Sequence, residues 1–257
     1  MGMKYGIRNG SLRQEWREAY ATAGVIGFEG LEICVTRDEH MPLILDPSVR
    51  KEAKELAAAA GVETCAISYG ILRQGSFIDP DPAVREHGVT LLHQAIEAAA
   101  DLGGDAILCP TFERQNIDIN PQQTETYVAA FKECTRAAED AGIMLALETS
   151  FSVELLCAIT EAIGSPSVCV YQDLSNALFY GHDPVDMLAR LADRIGMIHI
   201  KETDQKPLGE GDVDWEGSLQ AIDDMGYDGW LVFETGPGDD PVAMAQRNLD
   251  WLKGRMG

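Results

Sequence analysis

Eight short runs rich in valine and isoleucine, each too short for a helix and each bounded by glycine or polar turns, punctuate this chain. Runs of that kind mark strands buried on both faces, where neither surface meets water and no polar alternation is required. The sequence predicts them at residues 4–9, 27–35, 62–69, 105–110, 143–149, 168–174, 196–202 and 230–235. Between them lie stretches of helical periodicity, clearest at residues 47–60, 82–102, 122–141, 184–192 and 215–225. Asp46-Pro47, Asp81-Pro82 and Asp183-Pro184 each join a side-chain acceptor to a residue whose fixed φ suits a first helical turn. Gly61 and Gly142 are placed to end a helix in the left-handed conformation and lead directly into the next strand.

Strict alternation of strand and helix implies right-handed crossovers and a parallel sheet. The chain has 257 residues, and about 250 suffice for eight such units to close. The reading is therefore α/β, one domain over residues 1–257, folded as a single (β/α)₈ TIM barrel. An open doubly wound sheet would need a phosphate-cradling glycine-rich first turn, which Asn9-Gly10-Ser11 does not supply. Segments after strands two, three, four and seven are long, whereas helix-to-strand turns are short. Lid material thus gathers at the C-terminal face, where barrels of this kind keep their sites.

Composition serves mainly to exclude. With 42 acidic against 20 basic residues the formal charge is −22, a surface that repels phosphodiester backbones and argues against a nucleic-acid partner. Cysteines at 34, 65, 109, 134, 157 and 169 form no C-x-x-C pair and sit mostly in apolar runs, as buried thiols of a reducing cytoplasm would. The first residues show no h-region and no apolar run approaches the ~20 residues of a membrane span. A cytoplasmic protein without a membrane partner is expected.

Strands five to eight each stop on a residue able to bind metal: Glu148, Asp173, His199 and Glu234. Four consecutive barrel strands deliver these ends to one small region, so three carboxylates and an imidazole would converge. That much negative charge calls for a cation among them. Mixed oxygen and nitrogen ligation suits one divalent ion, Mn²⁺, Mg²⁺, Co²⁺ or Zn²⁺. The plainer alternative for any one of them is a helix N-cap or one arm of a surface ion pair.

At this point the chain resembles the xylose isomerase-like barrels, the family of sugar phosphate isomerases and epimerases. The resemblance covers nearly the whole length. It is carried by Gly27-Phe28-Glu29-Gly30-Leu31-Glu32, Leu147-Glu148, Asp173-Leu174-Ser175-Asn176, His199-Ile200-Lys201, the stretch from Leu208 to Trp215, and Phe233-Glu234. It implies that Glu148, Asp173, His199 and Glu234 hold the metal and that Glu148 and Glu234 also move protons. It further implies substrate contacts from Glu154 and Lys201; Asn176 and Glu210 are further candidates near the strand ends, and Tyr69 either walls the substrate pocket or packs in the core. A capping role is the alternative for Glu154, and neutralising Asp173 or Glu210 the alternative for Lys201. Glu32 would orient Lys201 or a substrate hydroxyl, or be satisfied inside the barrel by a nearby structural cation. A substrate phosphate would call on Arg37, Arg73, Arg114 or Lys206 in the long loops.

Two departures set the chain apart from the ketose 3-epimerase branch, which carries a histidine three residues after the metal-binding aspartate and an arginine six after the histidine. Here Asn176 and Gln205 stand in those places. The family's DNA-repair endonucleases use several more histidines, where this chain has Ser68, Tyr69 and Cys109, and Asp212-Val213-Asp214 in place of an Asp-x-His pair. The implied activity is a metal-dependent isomerase or epimerase of a sugar or sugar-like hydroxy-ketone, working through a metal-stabilised enediolate. The alternative is a lyase sharing the first proton abstraction, an inosose-type dehydratase or eliminating deglycosidase. A small carbohydrate is then the partner, and a homo-oligomer is compatible with the fold.

Overall fold

The computed structural model describes residues 2–112 and 118–256. Its strands are β1 (Lys4–Arg8), β2 (Gly30–Cys34), β3 (Glu63–Ser68), β4 (Ala106–Thr111), β5 (Met144–Thr149), β6 (Val168–Asp173), β7 (Ile195–Ile200) and β8 (Trp230–Phe233). They pair in chain order, every neighbour parallel, and β8 bonds back to β1 to close the ring. Around it lie α1 (Trp16–Ile26), α2 (Met41–Leu45), α3 (Pro47–Ala60), α4 (Pro82–Leu102) and α5 (Pro121–Ala141). The second half adds α6 (Val153–Ile163), α7 (Leu174–Phe179), α8 (Pro184–Leu191), α9 (Trp215–Asp224) and α10 (Pro241–Met256). The chain is the single (β/α)₈ barrel its pattern predicts.

The local signals act as their chemistry requires. The carboxylates of Asp46, Asp81 and Asp183 accept from the backbone N–H groups of Ser48, Ala83 and Val185 at 2.8, 2.9 and 2.9 Å, and proline opens each helix. Gly61 and Gly142 take φ of 66° and 69° and close α3 and α5. The second strand is shorter than the apolar run that announces it. Gly27, at φ 100°, is still the cap of α1, and Phe28 packs edge-on against Phe233 with centroids 5.1 Å apart before the chain enters the sheet.

The pleat then decides what reaches the site. Alternate residues of a strand share a face, so one period stacks Met144, Ala146 and Glu148 on β5 and Cys169, Tyr171 and Asp173 on β6. It stacks Met197 and His199 on β7, then Lys201, and Trp230 and Val232 on β8, then Glu234. The lower members of these columns are buried against one another and fill the inside of the ring, as side-chain layers do in such barrels. Apolar floor and polar crown thus come from the same alternation. Opposite-parity residues such as Leu147, Val170, Ile198 and Leu231 belong to the larger core between strands and helices. Among the described residues no helix is long and apolar enough to cross a membrane, and all six cysteines are free thiols.

Candidate metal centre

Glu148, Asp173, His199 and Glu234 each offer an atom to a common point, all four atoms lying within 4.8 Å of one another. His199 is at the middle. Its Nδ1 stands 3.3 Å from Glu148 Oε1, 3.0 Å from Glu234 Oε2 and 3.7 Å from Asp173 Oδ2. The ring is fully buried, and its Nε2 is turned 3.3 Å from Glu32 Oε1. That second contact fixes the ring's orientation and directs Nδ1 at the three carboxylates.

Asp173 shows why the plain and the chemical readings of a strand-end acid need not compete. Its Oδ1 accepts from Asn176 N at 2.7 Å and starts α7, whereas its Oδ2 is buried and accepts no hydrogen bond. Glu234 Oε2 is likewise buried without one. Lys201 Nζ lies 3.4 Å from each of these two oxygens. Two buried carboxylate oxygens left open toward one point, beside an imidazole nitrogen and a third carboxylate, match the donor set of a hard or borderline divalent ion. The residues fit such an ion.

The electrostatics follow from the crowding. Burial raises the proton affinity of Glu148, His199 opposes it, and Glu234 and Asp173 add to it, leaving its pKa above the ordinary value. Burial acts the same way on Glu234, but Arg8, His199 and Lys201 outweigh it and hold the carboxyl well below the usual range. Burial works against charge on His199, yet Glu32 and Glu234 drive its pKa well above that of free imidazole. For Lys201 too, Asp173 and Glu234 overcome burial and raise the pKa. The field that keeps protons on these cationic groups is one that favours a dication.

Asn176 ties the cluster together. Its amide donates to Glu148 Oε1 at 3.1 Å and its carbonyl accepts from Lys201 Nζ at 3.1 Å. Arg8 is the residue that sequence reasoning missed. It extends from the end of β1, ion-paired with Glu234 and, at 3.0 Å, with Glu32, and its Nη2 donates to Ser68 Oγ at 3.3 Å. The available signal was parity: Arg8 lies two residues beyond Gly6 on the inward face. Of the two readings of Glu32 the structure shows the nearby cation, since Arg8 and His199 take its Oε1 and Tyr171 donates to its Oε2 at 2.6 Å.

Above the cluster opens a cavity of about 580 Å³. Glu148, Asn176, Lys201 and Glu234 line it with Arg8 and Ser68, and Phe112, Phe179 and Tyr180 form an aromatic rim. Phe112 and Tyr180 stack with centroids 5.8 Å apart. Three predicted substrate contacts lie elsewhere. Glu154 is 70% exposed and paired with Arg190 at 2.6 Å, because the Ser152 cap sets a register for α6 that buries Val153 and Leu156 instead. Glu210 is on the surface with Arg247, in a loop anchored by its neighbours: Glu202 accepts from Gly209 N, Val213 N and Trp215 Nε1 at 3.1, 3.2 and 2.8 Å. Tyr69 is fully buried with its hydroxyl near Met41 Sδ, one residue out of parity with Ser68. Of the loop cations, Arg37 pairs with Glu39 and Lys206 with Asp204, Arg73 lines the cavity, and Arg114 lies outside the described residues.

Comparison with known proteins agrees with this architecture. The family model of the xylose isomerase-like TIM barrel matches residues 21–255. The chain belongs to that family. Among its relatives, L-ribulose-5-phosphate 3-epimerase UlaE of Shigella flexneri serotype 5b is 26% identical, over 94% of this chain and 90% of the relative. The crystal structure of D-allulose 3-epimerase from Methylomonas sp. superposes on 99% of the chain and 98% of its own with a TM-score of 0.84 at 20% identity. That of 3-keto-D-glucoside 4-epimerase, YcjR, from E. coli covers 98% and 99% with a TM-score of 0.81 at 18% identity. At such identities the likeness to these solved structures is one of fold.

Proposed function

We propose that this xylose isomerase-like barrel is a divalent-metal-dependent epimerase of a small ketose or keto-sugar, inverting a carbon next to a carbonyl. One observation carries the reading. Glu148 and Glu234 are the only acids lining the cavity among the described residues, and they arise from strands three apart in the ring, so two carboxylates reach one small substrate from separated directions. A single base would remove a proton and return it to the same side, whereas inversion needs a donor on each.

Glu148, Asp173, His199 and Glu234 would hold the cation, which when bound polarises the carbonyl and stabilises negative charge developing on its oxygen. One of the two glutamates takes the proton as the C–H bond breaks. The electron pair left behind delocalises toward the carbonyl, and the other glutamate returns a proton to the opposite face. No oxidant or co-substrate is consumed. Asn176 keeps Glu148 in place, and Lys201 supplies an ammonium beside Asp173 and Glu234 that can also donate to substrate oxygens. The aromatic rim and the apolar column beneath the cluster keep bulk water from the reacting carbon.

The first step is common to epimerases, aldose–ketose isomerases and lyases. Relatives whose names describe 3- and 4-epimerases support epimerisation as the outcome, although Asn176 and Gln205 replace residues seen in the ketose 3-epimerase branch. A reducing, cytoplasmic setting is part of the proposal and rests on the free thiols. The test is incubation of the Mn²⁺-loaded protein with ketopentoses, ketohexoses and keto-glycosides in D₂O, followed by NMR. Deuterium at the carbon beside the carbonyl together with the epimeric product is expected. Exchange accompanied by loss of water or of an aglycone would replace the epimerase with a lyase, and no exchange in any compound would remove the reading.

A further inference from the structure

The far wall of the cavity carries a charge that the metal centre leaves unused. Arg73 belongs to the turn Gly70–Gly75 that follows β3, and it lines the cavity together with Ser68 and Gly70. In the eight-membered ring β3 stands four strands from β7. Arg73 therefore lies across the opening from the arc that carries His199 and Lys201.

Among the described residues three basic side chains line this cavity: Arg8, Arg73 and Lys201. Arg8 is neutralised by Glu32 and Glu234, and Lys201 by Asp173 and Glu234. Arg73 alone of the three has no ion pair or hydrogen bond among the described residues. In a chain where acids outnumber bases 42 to 20, a carboxylate is rarely far from a cation. Two other loop cations show it, Arg37 having Glu39 and Lys206 having Asp204. Ser68 adds a second donor to the same wall. It is 4% exposed, and its Oγ already accepts from Arg8 Nη2, which leaves its O–H hydrogen for a ligand. A guanidinium presents two parallel N–H bonds in a fork that matches a phosphate or carboxylate edge.

We propose that Arg73 receives an oxyanion, a phosphate monoester or a carboxylate, carried by the substrate at the end away from its reacting carbonyl. The orientation rests on the epimerase reading, which puts the carbonyl at the glutamates; the oxyanion receptor itself rests on the cavity wall. Such a group would extend from the metal-side arc to the opposite rim, so a neutral ketose would engage only half of the cavity.

The experiment compares the Mn²⁺-loaded wild type with Arg73→Gln on L-ribulose 5-phosphate, on L-ribulose and on a keto-sugar acid of similar length. Arg73 is exposed, so the variant is expected to fold. Its kcat/KM for an anionic substrate relative to the neutral one should fall about 10- to 100-fold, as loss of hydrogen bonds to a charged group predicts, with most of the change in KM. Whichever anion loses more on substitution is the natural class, and a ratio that Arg73→Gln leaves unmoved for both overturns the proposal. Calorimetry with L-ribulose 5-phosphate and with inorganic phosphate decides the matter even where no ketose turns over. Weaker binding to Arg73→Gln than to the wild type supports the receptor independently of the reaction, and equal binding overturns it.

Discussion

The two halves of the barrel mouth are built on one strand geometry and charged very differently. The arc from β5 to β8 ends on Glu148, Asp173, His199, Lys201 and Glu234, whereas the arc from β1 to β4 brings Arg8, Glu32, Ser68 and Pro110 to the same level. The first arc concentrates carboxylates around a point and leaves two of their oxygens open. The second holds its one buried carboxylate, Glu32, fully engaged with Arg8, Tyr171 and His199. Charge that is satisfied internally supports a site, and charge left open invites a ligand. On the proposed reading chemistry falls to one arc, and support and fit to the other.

The largest effects should fall on the first arc. Glu148→Gln and Glu234→Gln are each expected to lower kcat by about 10²- to 10⁴-fold, the scale of general acid–base catalysis, while Ser68→Ala on the second arc should act chiefly on KM. Steady-state kinetics of the three variants would break the division if Ser68→Ala matched the glutamates in kcat. Next in size is Glu32→Gln, which loosens the hold on His199 and should weaken Mn²⁺ binding about 10- to 100-fold. Titration calorimetry on the chelator-stripped protein reads that directly, and unchanged affinity would deny the second arc its supporting role.

A smaller effect belongs to Glu202, whose work is structural. Burial raises its pKa, but Trp215 and the backbone N–H groups of Thr203, Val213 and Gly209 overcome this and lower it. A carboxylate with a lowered folded pKa stabilises the fold above its ordinary, unfolded value and loses that contribution as pH falls through the folded one. Glu202→Gln should therefore cost about 1–3 kcal/mol near neutral pH, as for hydrogen bonds to a charged group, and the gap from wild type should close in acid. Denaturant melts across that range check the sign. Smallest of all, Glu154→Gln should leave kinetics and melting unchanged, its pair with Arg190 being exposed; a drop in kcat would return Glu154 to the site.

Much of this was legible in the sequence because it is local. Buried strands announce themselves within six or seven residues, caps within three, and a polar residue at the end of an apolar run needs no partner to be noticed. Glu148, Asp173, His199 and Glu234 all stand out in that way. Arg8 did not, since its meaning depends on Glu234, which becomes its neighbour only when β8 pairs with β1. Glu154 and Glu210 were misplaced for a related reason. A carboxylate six residues past Glu148 faces inward or outward according to where a helix starts, and Ser152 settles that register. For Glu210 the loop path depends on the bonds that Glu202 makes to residues either side of it.

The seam between β8 and β1 has a consequence for how this molecule becomes competent as the ring closes. Glu234 follows the eighth strand and Arg8 ends the first, yet the two meet in an ion pair. A barrel without β8 and α10 would own three of the four clustered groups, and Arg8 would keep Glu32 but lose Glu234 at an open edge. Activity should arrive at one stroke with closure of the ring, and no fragment that ends short of that strand should show a fraction of it.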